Sequence, residues 1–180
     1  MLISASILIL LSLHCVAQWE EAYVEASITL PPFALVDIEP EDNNIYFSVL
    51  PAEAPGMPAQ VIRSEDKPLV INYTSALSPT NTTRSIVAGL SVGSLPAGIE
   101  LIVEASEYRG QGKGRFGIPA GKVSLSDNPK AIITDVGNCF TGNGEDNGHL
   151  LNLSVKISDF SKINSANEIT VSVIYTICDN

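Results

Sequence analysis

The chain has 180 residues, of which 45% are hydrophobic, and 20 acidic against 10 basic side chains give it a formal net charge of −10. This length suits a single domain, and no stretch in the interior of the sequence resembles a linker. An acidic surface opposes binding to nucleic acid and to anionic membranes, and it favours solubility, cations or a basic partner surface.

The N-terminus carries an apolar segment at residues 3–13, which is too short to span a bilayer as a helix. Such a segment is typical of a secretory signal peptide, so we expect residues 1–17 to be removed and residues 18–180 to form one domain. Lipidation of Cys15 is the alternative, although His14 fits the required small residue badly. No second long apolar run follows. The sequence predicts a secreted or cell-surface protein without a transmembrane segment, which passes through the periplasm if the source is Gram-negative.

The first stretch with β-type alternation covers residues 23–30, directly before two prolines. Its apolar side is formed by four residues: Val24, Ala26, Ile28 and Leu30. Two interpretations are open for this candidate assembly strand. It is either an edge strand that pairs within its own domain or a strand donated to a neighbouring subunit.

Further alternating or β-branched stretches predict nine more strands. They lie at residues 34–38, 45–50, 68–74, 84–90, 99–105, 121–125, 130–135, 150–158 and 168–177. Residues 158–166 are short and polar, and they predict a turn or one helical turn. Ten short strands separated by Pro, Gly, Asn and Asp residues are typical of an all-β, antiparallel sandwich, in which Ile, Val and Leu side chains pack between two sheets.

Removal of the signal leaves two cysteines, Cys139 and Cys178. In an oxidising compartment this even number predicts one disulfide bond. A bridge that closes a loop of roughly 40 residues stabilises a domain by about 3–4 kcal/mol through the entropy of the denatured state. Two free thiols or a metal-binding pair are the alternatives, and no third soft ligand lies near either cysteine in the sequence.

A glycine-rich stretch at residues 112–117 has the glycine spacing of a dinucleotide site, but residues 118–121 cannot open the helix that such a site requires. We therefore predict no cofactor. Basic and aromatic residues cluster around this stretch as a candidate ligand loop: Tyr108, Arg109, Lys113, Arg115 and Phe116. A glycine-rich hairpin tip is one interpretation of the loop, and contact with an anion or a partner subunit is the other.

Residues 143–148 carry side-chain oxygens at alternate positions and glycine at the sixth, as a calcium loop does, but position twelve is Ser154 rather than Glu. An ordinary turn is one interpretation, and a weak calcium site completed by a remote carboxylate such as Asp135 is the other.

His149 is the only histidine after the signal, and no Gly-x-Ser-x-Gly motif is present. We predict no catalytic residues and no enzyme. Three tripeptides fit the N-glycosylation pattern, beginning at Asn72, Asn81 and Asn152.

The C-terminal third contains the segment VGNCFTG at residues 136–142, then a Gly/Asn turn, and then the predicted strands at 151–157 and 169–177. In these features the chain resembles exported bacterial β-sandwich proteins related to pilin subunits and spore-coat-U-like proteins. The resemblance implies an immunoglobulin-like sandwich, display on the cell surface and, in some members, polymerisation by strand exchange.

We therefore expect a secreted or cell-surface structural or adhesive protein, resembling a fimbrial subunit, that associates with itself or with other envelope proteins through edge strands. The alternative is an extracellular module that binds carbohydrate or another ligand through loops at one end of the sandwich. Three loop aromatics are the candidates for that second role: Tyr108, Phe116 and Phe140.

Overall fold

The computed structural model describes residues 22–63, 68–163 and 169–180. Contacts divide the chain into two compact units, residues 1–30 and residues 31–180. The predicted signal peptide lies outside the described residues.

The candidate assembly strand is not a strand in the structure. Residues 22–30 have no regular secondary structure and are all exposed, with Val24 at 93% and Leu30 at 87% of full exposure. The prediction of a strand at 23–30 that pairs within its own domain is therefore wrong. Alternation supplies the side-chain pattern of a strand, but the backbone also needs a partner, and the two prolines that follow have no N–H with which to continue a ladder.

Residues 31–180 contain thirteen strands and one short 3-10 helix in the described part of the chain. In chain order the strands are β1 (Phe33–Glu39), β2 (Phe47–Leu50), β3 (Gln60–Arg63), β4 (Leu69–Ala76), β5 (Arg84–Val92), β6 (Ile99–Arg109), β7 (Lys113–Gly114), β8 (Ile118–Pro119), β9 (Lys122–Ser124), β10 (Lys130–Val136), β11 (Cys139–Phe140), β12 (Gly148–Ile157) and β13 (Ser172–Asp179). The helical turn covers Phe160–Lys162, inside the predicted 158–166.

Three sheets are formed, and every strand pair is antiparallel. In the seven-stranded sheet, the strands pair in the order β7-β11-β4-β12-β6-β9. The remaining strand, β1, pairs with β4 along its length. The four-stranded sheet has the order β13-β5-β10-β8, and β2 pairs with β3. Among the described strands, β1 and β13 each have one partner and are edge strands.

The hydrophobic core is built from the seven-stranded sheet and the four-stranded sheet, called here the larger and the smaller sheet. Ile71 and Val103 come from β4 and β6, whereas Ile86 and Ile133 come from β5 and β10, and all four side chains are fully buried. Burial of each such side chain contributes about 1.5–3 kcal/mol. The all-β, antiparallel class predicted from the sequence is confirmed, and the core shared by two sheets is consistent with a sandwich.

Nine of the ten predicted strands overlap strands of the structure, because alternation over five or more residues is a strong signal. The four strands that were missed are β3, β7, β8 and β11, which have only two to four residues each. Such short ladders depend on tertiary pairing, and two residues carry no period to detect.

The predicted disulfide between Cys139 and Cys178 is not formed, since both cysteines are free thiols. Cys139 is buried within the core between the sheets. Cys178 follows Ile177, which packs against that core, so alternation along β13 directs Cys178 to the outer face of the smaller sheet. Two cysteines whose side chains point in different directions cannot be bridged without movement of the backbone.

A buried arginine connects the two sheets at one end of the core. Arg84 of β5 is only 6% exposed. Its Nε donates to Asp179 Oδ1 of β13 at 2.7 Å, and this hydrogen bond lowers the pKa of Asp179. Its Nη1 donates to the carbonyl of Phe33 at 2.7 Å, and also to Ser75 Oγ and the Ala76 carbonyl at 3.2 Å. One guanidinium thus binds β13 of its own sheet and both β1 and β4 of the opposite sheet.

We expect Arg84→Met to lower the free energy of unfolding by about 2–3 kcal/mol, because it removes the hydrogen bonds of a buried guanidinium and leaves the buried Ser75 Oγ without this donor. Urea denaturation followed by circular dichroism measures this change. The matched control is Arg109→Met, which removes an exposed guanidinium that donates to a single loop carbonyl, and its expected effect is below about 0.5 kcal/mol. Equal effects of the two substitutions would contradict the connecting role of Arg84.

Candidate functional site

A buried polar cluster lies where β12 begins, next to β4 and β6. His149 is fully buried and stands opposite Ile71 of β4 and Tyr108 of β6 in the ladder. Its Nε2 lies 2.8 Å from Tyr73 Oη, and its Nδ1 lies 2.7 Å from the carbonyl oxygen of Ser106. The pairing shifts register between His149 and Leu151. This bulge leaves the Ser106 carbonyl free to accept from the imidazole.

The hydrogen bonds fix the protonation of His149. A carbonyl can only accept, so Nδ1 carries the proton of the neutral ring. The Tyr73 hydroxyl lies between Nε2 and the carbonyl of Phe116, and both of these can accept its one proton. Burial lowers the pKa of His149, and its hydrogen bond to Ser106 opposes part of this shift. Burial also raises the pKa of Tyr73. Both side chains are therefore neutral near pH 7, and the groups at the two imidazole nitrogens are a phenol and a backbone carbonyl.

Thr141 and the predicted loop aromatics extend the cluster. The fully buried Thr141 accepts from the backbone N–H of Tyr73 at 2.9 Å, and its own carbonyl accepts from the Tyr108 hydroxyl at 2.9 Å. The rings of Tyr108 and Phe116 are stacked with their centroids 3.6 Å apart. These two aromatics were candidate ligand contacts, and the structure packs them on each other and against the polar cluster.

The two arginines of the candidate ligand loop bind other parts of the same chain. Arg109 donates to the Glu145 carbonyl at 2.7 Å, and Arg115 forms an ion pair with Asp135. Lys113 lies on β7 and is exposed. The loop is thus held by its own aromatics and guanidinium groups, which supports the hairpin-tip interpretation over an open anion site.

The turn at residues 143–148 has the hydrogen bonds of an ordinary Asn/Gly turn. Asn147 Nδ2 donates to the Asn143 carbonyl at 2.8 Å, and Asn147 Oδ1 accepts from the backbone N–H of Gln111 at 3.1 Å. The remote carboxylate that a calcium site was expected to use, Asp135, is paired with Arg115. In the described ranges, no three side chains of His, Cys, Asp or Glu are grouped so that they could hold a metal ion.

A shallow groove of about 430 Å³ crosses the outer face of the larger sheet, and we call it the face groove. Its outward-facing residues come from three strands and the loop after β11: Leu35, Asp37, Asn72, Thr74, Phe140, Gly142 and Asn143. Two rows of the ladder build its floor. Leu35 and Phe140 stand opposite Thr74 from its two sides, and Asp37 stands opposite Asn72.

Asn72 is the unusual residue of the face groove. It is only 4% exposed, and its Nδ2 donates to the carbonyls of Gly144 and Asn147. Its Oδ1 is buried and has no hydrogen-bond partner among the described residues. Buried acceptors nearly always have a partner, so this oxygen marks a place where a donor is missing.

A second opening, the edge cleft, lies between the edge strands β1 and β13 and has a volume of about 370 Å³. Four residues that also pack against the core line it: Val36, Ile38, Val173 and Tyr175. The hydroxyl of Tyr175 is buried there without a hydrogen-bond partner in the described part of the chain. Side chains that pack against the core are thus partly accessible between two strands that each have an unpaired edge.

The two openings contain few of the residues that the sequence singled out. Phe140 was named as a candidate aromatic, whereas Asp37 and Thr74 carried no signal. Asn72 was visible only as the start of a glycosylation tripeptide, and its burial makes it a poor acceptor of a glycan in the folded protein.

The buried histidine makes stability depend on pH. The pKa of His149 is lower in the folded chain than its ordinary value of about 6.5, so its contribution is complete above that pH and is lost as the pH falls through the folded pKa. We expect the free energy of unfolding, from urea titrations at pH 7.5, 6.5 and 5.5, to fall with pH over this range.

The variant His149→Gln keeps one donor and one acceptor but does not titrate. It should be less stable at pH 7.5 and should show a flatter pH profile, since His149 is the only histidine after residue 14. Parallel profiles for the two proteins would show that another group causes the pH dependence.

Comparison with protein-family models, with curated proteins and with solved structures finds no match to this chain. None of the helices among the described residues has the length and apolar character needed to cross a membrane.

Proposed function

We propose that this protein is a secreted or cell-surface structural or adhesive subunit with an immunoglobulin-like, pilin-like sandwich, and that its copies assemble through edge strands. The observation that carries the proposal is the edge cleft, where β1 and β13 border an opening lined in part by side chains that pack against the core. An unpaired strand edge presents N–H and C=O groups that pair readily with another strand.

The side chains of the edge cleft favour an extended, apolar occupant. Val36, Ile38 and Val173 face the cleft from its two sides, so a strand inserted there would bury alternate side chains on the core. The inserted backbone would also supply carbonyl oxygens, one of which could accept from the Tyr175 hydroxyl.

Residues 24–30 have the features of the inserted strand. They are exposed in their own chain, and their apolar members alternate with Glu25, Ser27 and Thr29. The stretch has seven residues, the same length as β1. We therefore propose that this segment of one copy enters the edge cleft of the next copy, as the resemblance to pilin-related proteins implies.

Sedimentation velocity and electron microscopy of the mature chain test this assembly over a range of concentrations. We expect concentration-dependent oligomers or fibres that are lost in the variant with Val24→Ser, Ala26→Ser, Ile28→Ser and Leu30→Ser. This variant removes the apolar area that would be buried, and the loss should weaken association at least about 100-fold.

The matched control changes the opposite side of the same segment by Glu25→Gln, Ser27→Asn and Thr29→Ser, and it should assemble like the unmodified chain. A protein that stays monomeric at high concentration, or a control that loses assembly to the same extent, would contradict the proposal.

A further inference from the structure

We propose that the face groove binds a sugar ring of a glycan, with Asn72 Oδ1 accepting a hydrogen bond from a ring hydroxyl and Phe140 packing against the apolar C–H face of the ring. This site lies on the outer face of the larger sheet. It shares Val36 and Asp37 of β1 with the edge cleft, and its other lining residues belong to different parts of the chain.

The orientation of the Asn72 amide is set by its neighbours. Its nitrogen faces the carbonyls of Gly144 and Asn147, and carbonyls can only accept. The amide oxygen is therefore held on the other side and cannot exchange places with the nitrogen, and Asn72 is one of the residues that line the groove. A partner for this oxygen must be a donor.

The other polar groups of the groove also favour a ligand with several donors. The Asp37 carboxylate stands opposite Asn72 and uses Oδ1 to accept from the backbone N–H of Ile38 at 2.8 Å. Its second oxygen is an acceptor, and the Thr74 hydroxyl can both donate and accept. Adjacent hydroxyl groups on a sugar supply several donors at short spacing and match this set.

The apolar walls of the groove match the C–H face of a sugar ring. Phe140 is 47% exposed and Leu35 is 66% exposed, and they flank Thr74 from neighbouring strands on opposite sides. An aromatic and an aliphatic wall with a few convergent polar groups is the usual composition of a small-molecule site. A ring with a hydroxyl rim and a C–H face contacts both kinds of surface at once.

A metal ion fits the groove less well than a sugar. Calcium binds six to eight oxygens, usually including several carboxylates, and among the described residues Asp37 is the only charged one that lines the groove. The apolar walls would also leave much of the surface around an ion without ligands.

Access to Asn72 Oδ1 requires a side-chain movement, because the atom is buried. The side chains of Asp37 and Asn143 are exposed at the border of the groove. Exposed side chains change rotamer in picoseconds to nanoseconds. Binding therefore includes a rotamer change at the border, and the backbone of the sheet stays in place.

Nuclear magnetic resonance of the nitrogen-15-labelled mature chain tests the site. D-Mannose, D-galactose, D-glucose and N-acetyl-D-glucosamine are titrated separately at millimolar concentrations. We expect at least one sugar to shift the backbone signals of Thr74, Phe140 and Asn143 and the side-chain amide signal of Asn72. Phe140→Ala should weaken this binding by about tenfold or more, since it removes the exposed aromatic anchor.

The matched control is Phe33→Ala. Phe33 lies on the same face of β1 and is also 47% exposed, but it does not line the groove, so its removal should leave sugar binding unchanged. Asn72→Ala also releases the turn that its nitrogen holds and can unfold the site. Phe140→Ala changes only a half-exposed side chain and keeps the test interpretable. The variant with residues 24, 26, 28 and 30 changed to serine should bind the sugar normally, which separates this site from assembly.

Three results would overturn the proposal. The first is that none of the four sugars shifts these signals, which leaves ordered water as the partner of Asn72. The second is an equal loss of binding in Phe33→Ala and Phe140→Ala. The third is that a short lysine peptide or calcium chloride shifts the signals where the sugars do not, which would assign the groove to a basic peptide or to a cation.

Discussion

The alternation of side chains between the two faces of each strand is the constraint on which this structure depends. On β4 it sends Ile71 and Tyr73 to the core and leaves Asn72 and Thr74 on the outer face, where the face groove lies. On β13 it turns Ile177 inward and Cys178 outward. A slip of one residue in either strand would exchange these roles and expose the core.

The sequence was sufficient to predict the strands that carry this alternation over at least five residues, and with them the all-β, antiparallel class. It could not reveal which strands find a partner. Residues 23–30 alternate as regularly as β13 but form no strand in the structure. The cysteine count likewise predicted a bridge, yet Cys139 lies in the core and Cys178 on an outer face. Strand pairing and the relative positions of two side chains depend on the tertiary structure, and a local sequence pattern does not contain this information.

The candidate sites were less predictable than the fold. Tyr108 and Phe116 were candidate ligand contacts under one of two interpretations of the glycine-rich loop, and in the structure they stack on each other beside His149. The face groove depends on Asp37 standing opposite Asn72, a contact between residues that are far apart in the chain. Only Phe140 was named in advance as a ligand contact, whereas Asn72 and Asn143 were noted for other motifs.

The connections made by Arg84 also determine how this domain folds. The guanidinium bonds to Phe33, 51 positions earlier in the chain, and to Asp179, 95 positions later. Contacts that close such long loops form slowly, so folding of this topology falls in the range of milliseconds to seconds. Throughout that interval the strand edges are unpaired, and a second chain that met them would aggregate. The net charge of −10 makes unfolded copies repel one another, which lengthens the time available for each chain to close on itself.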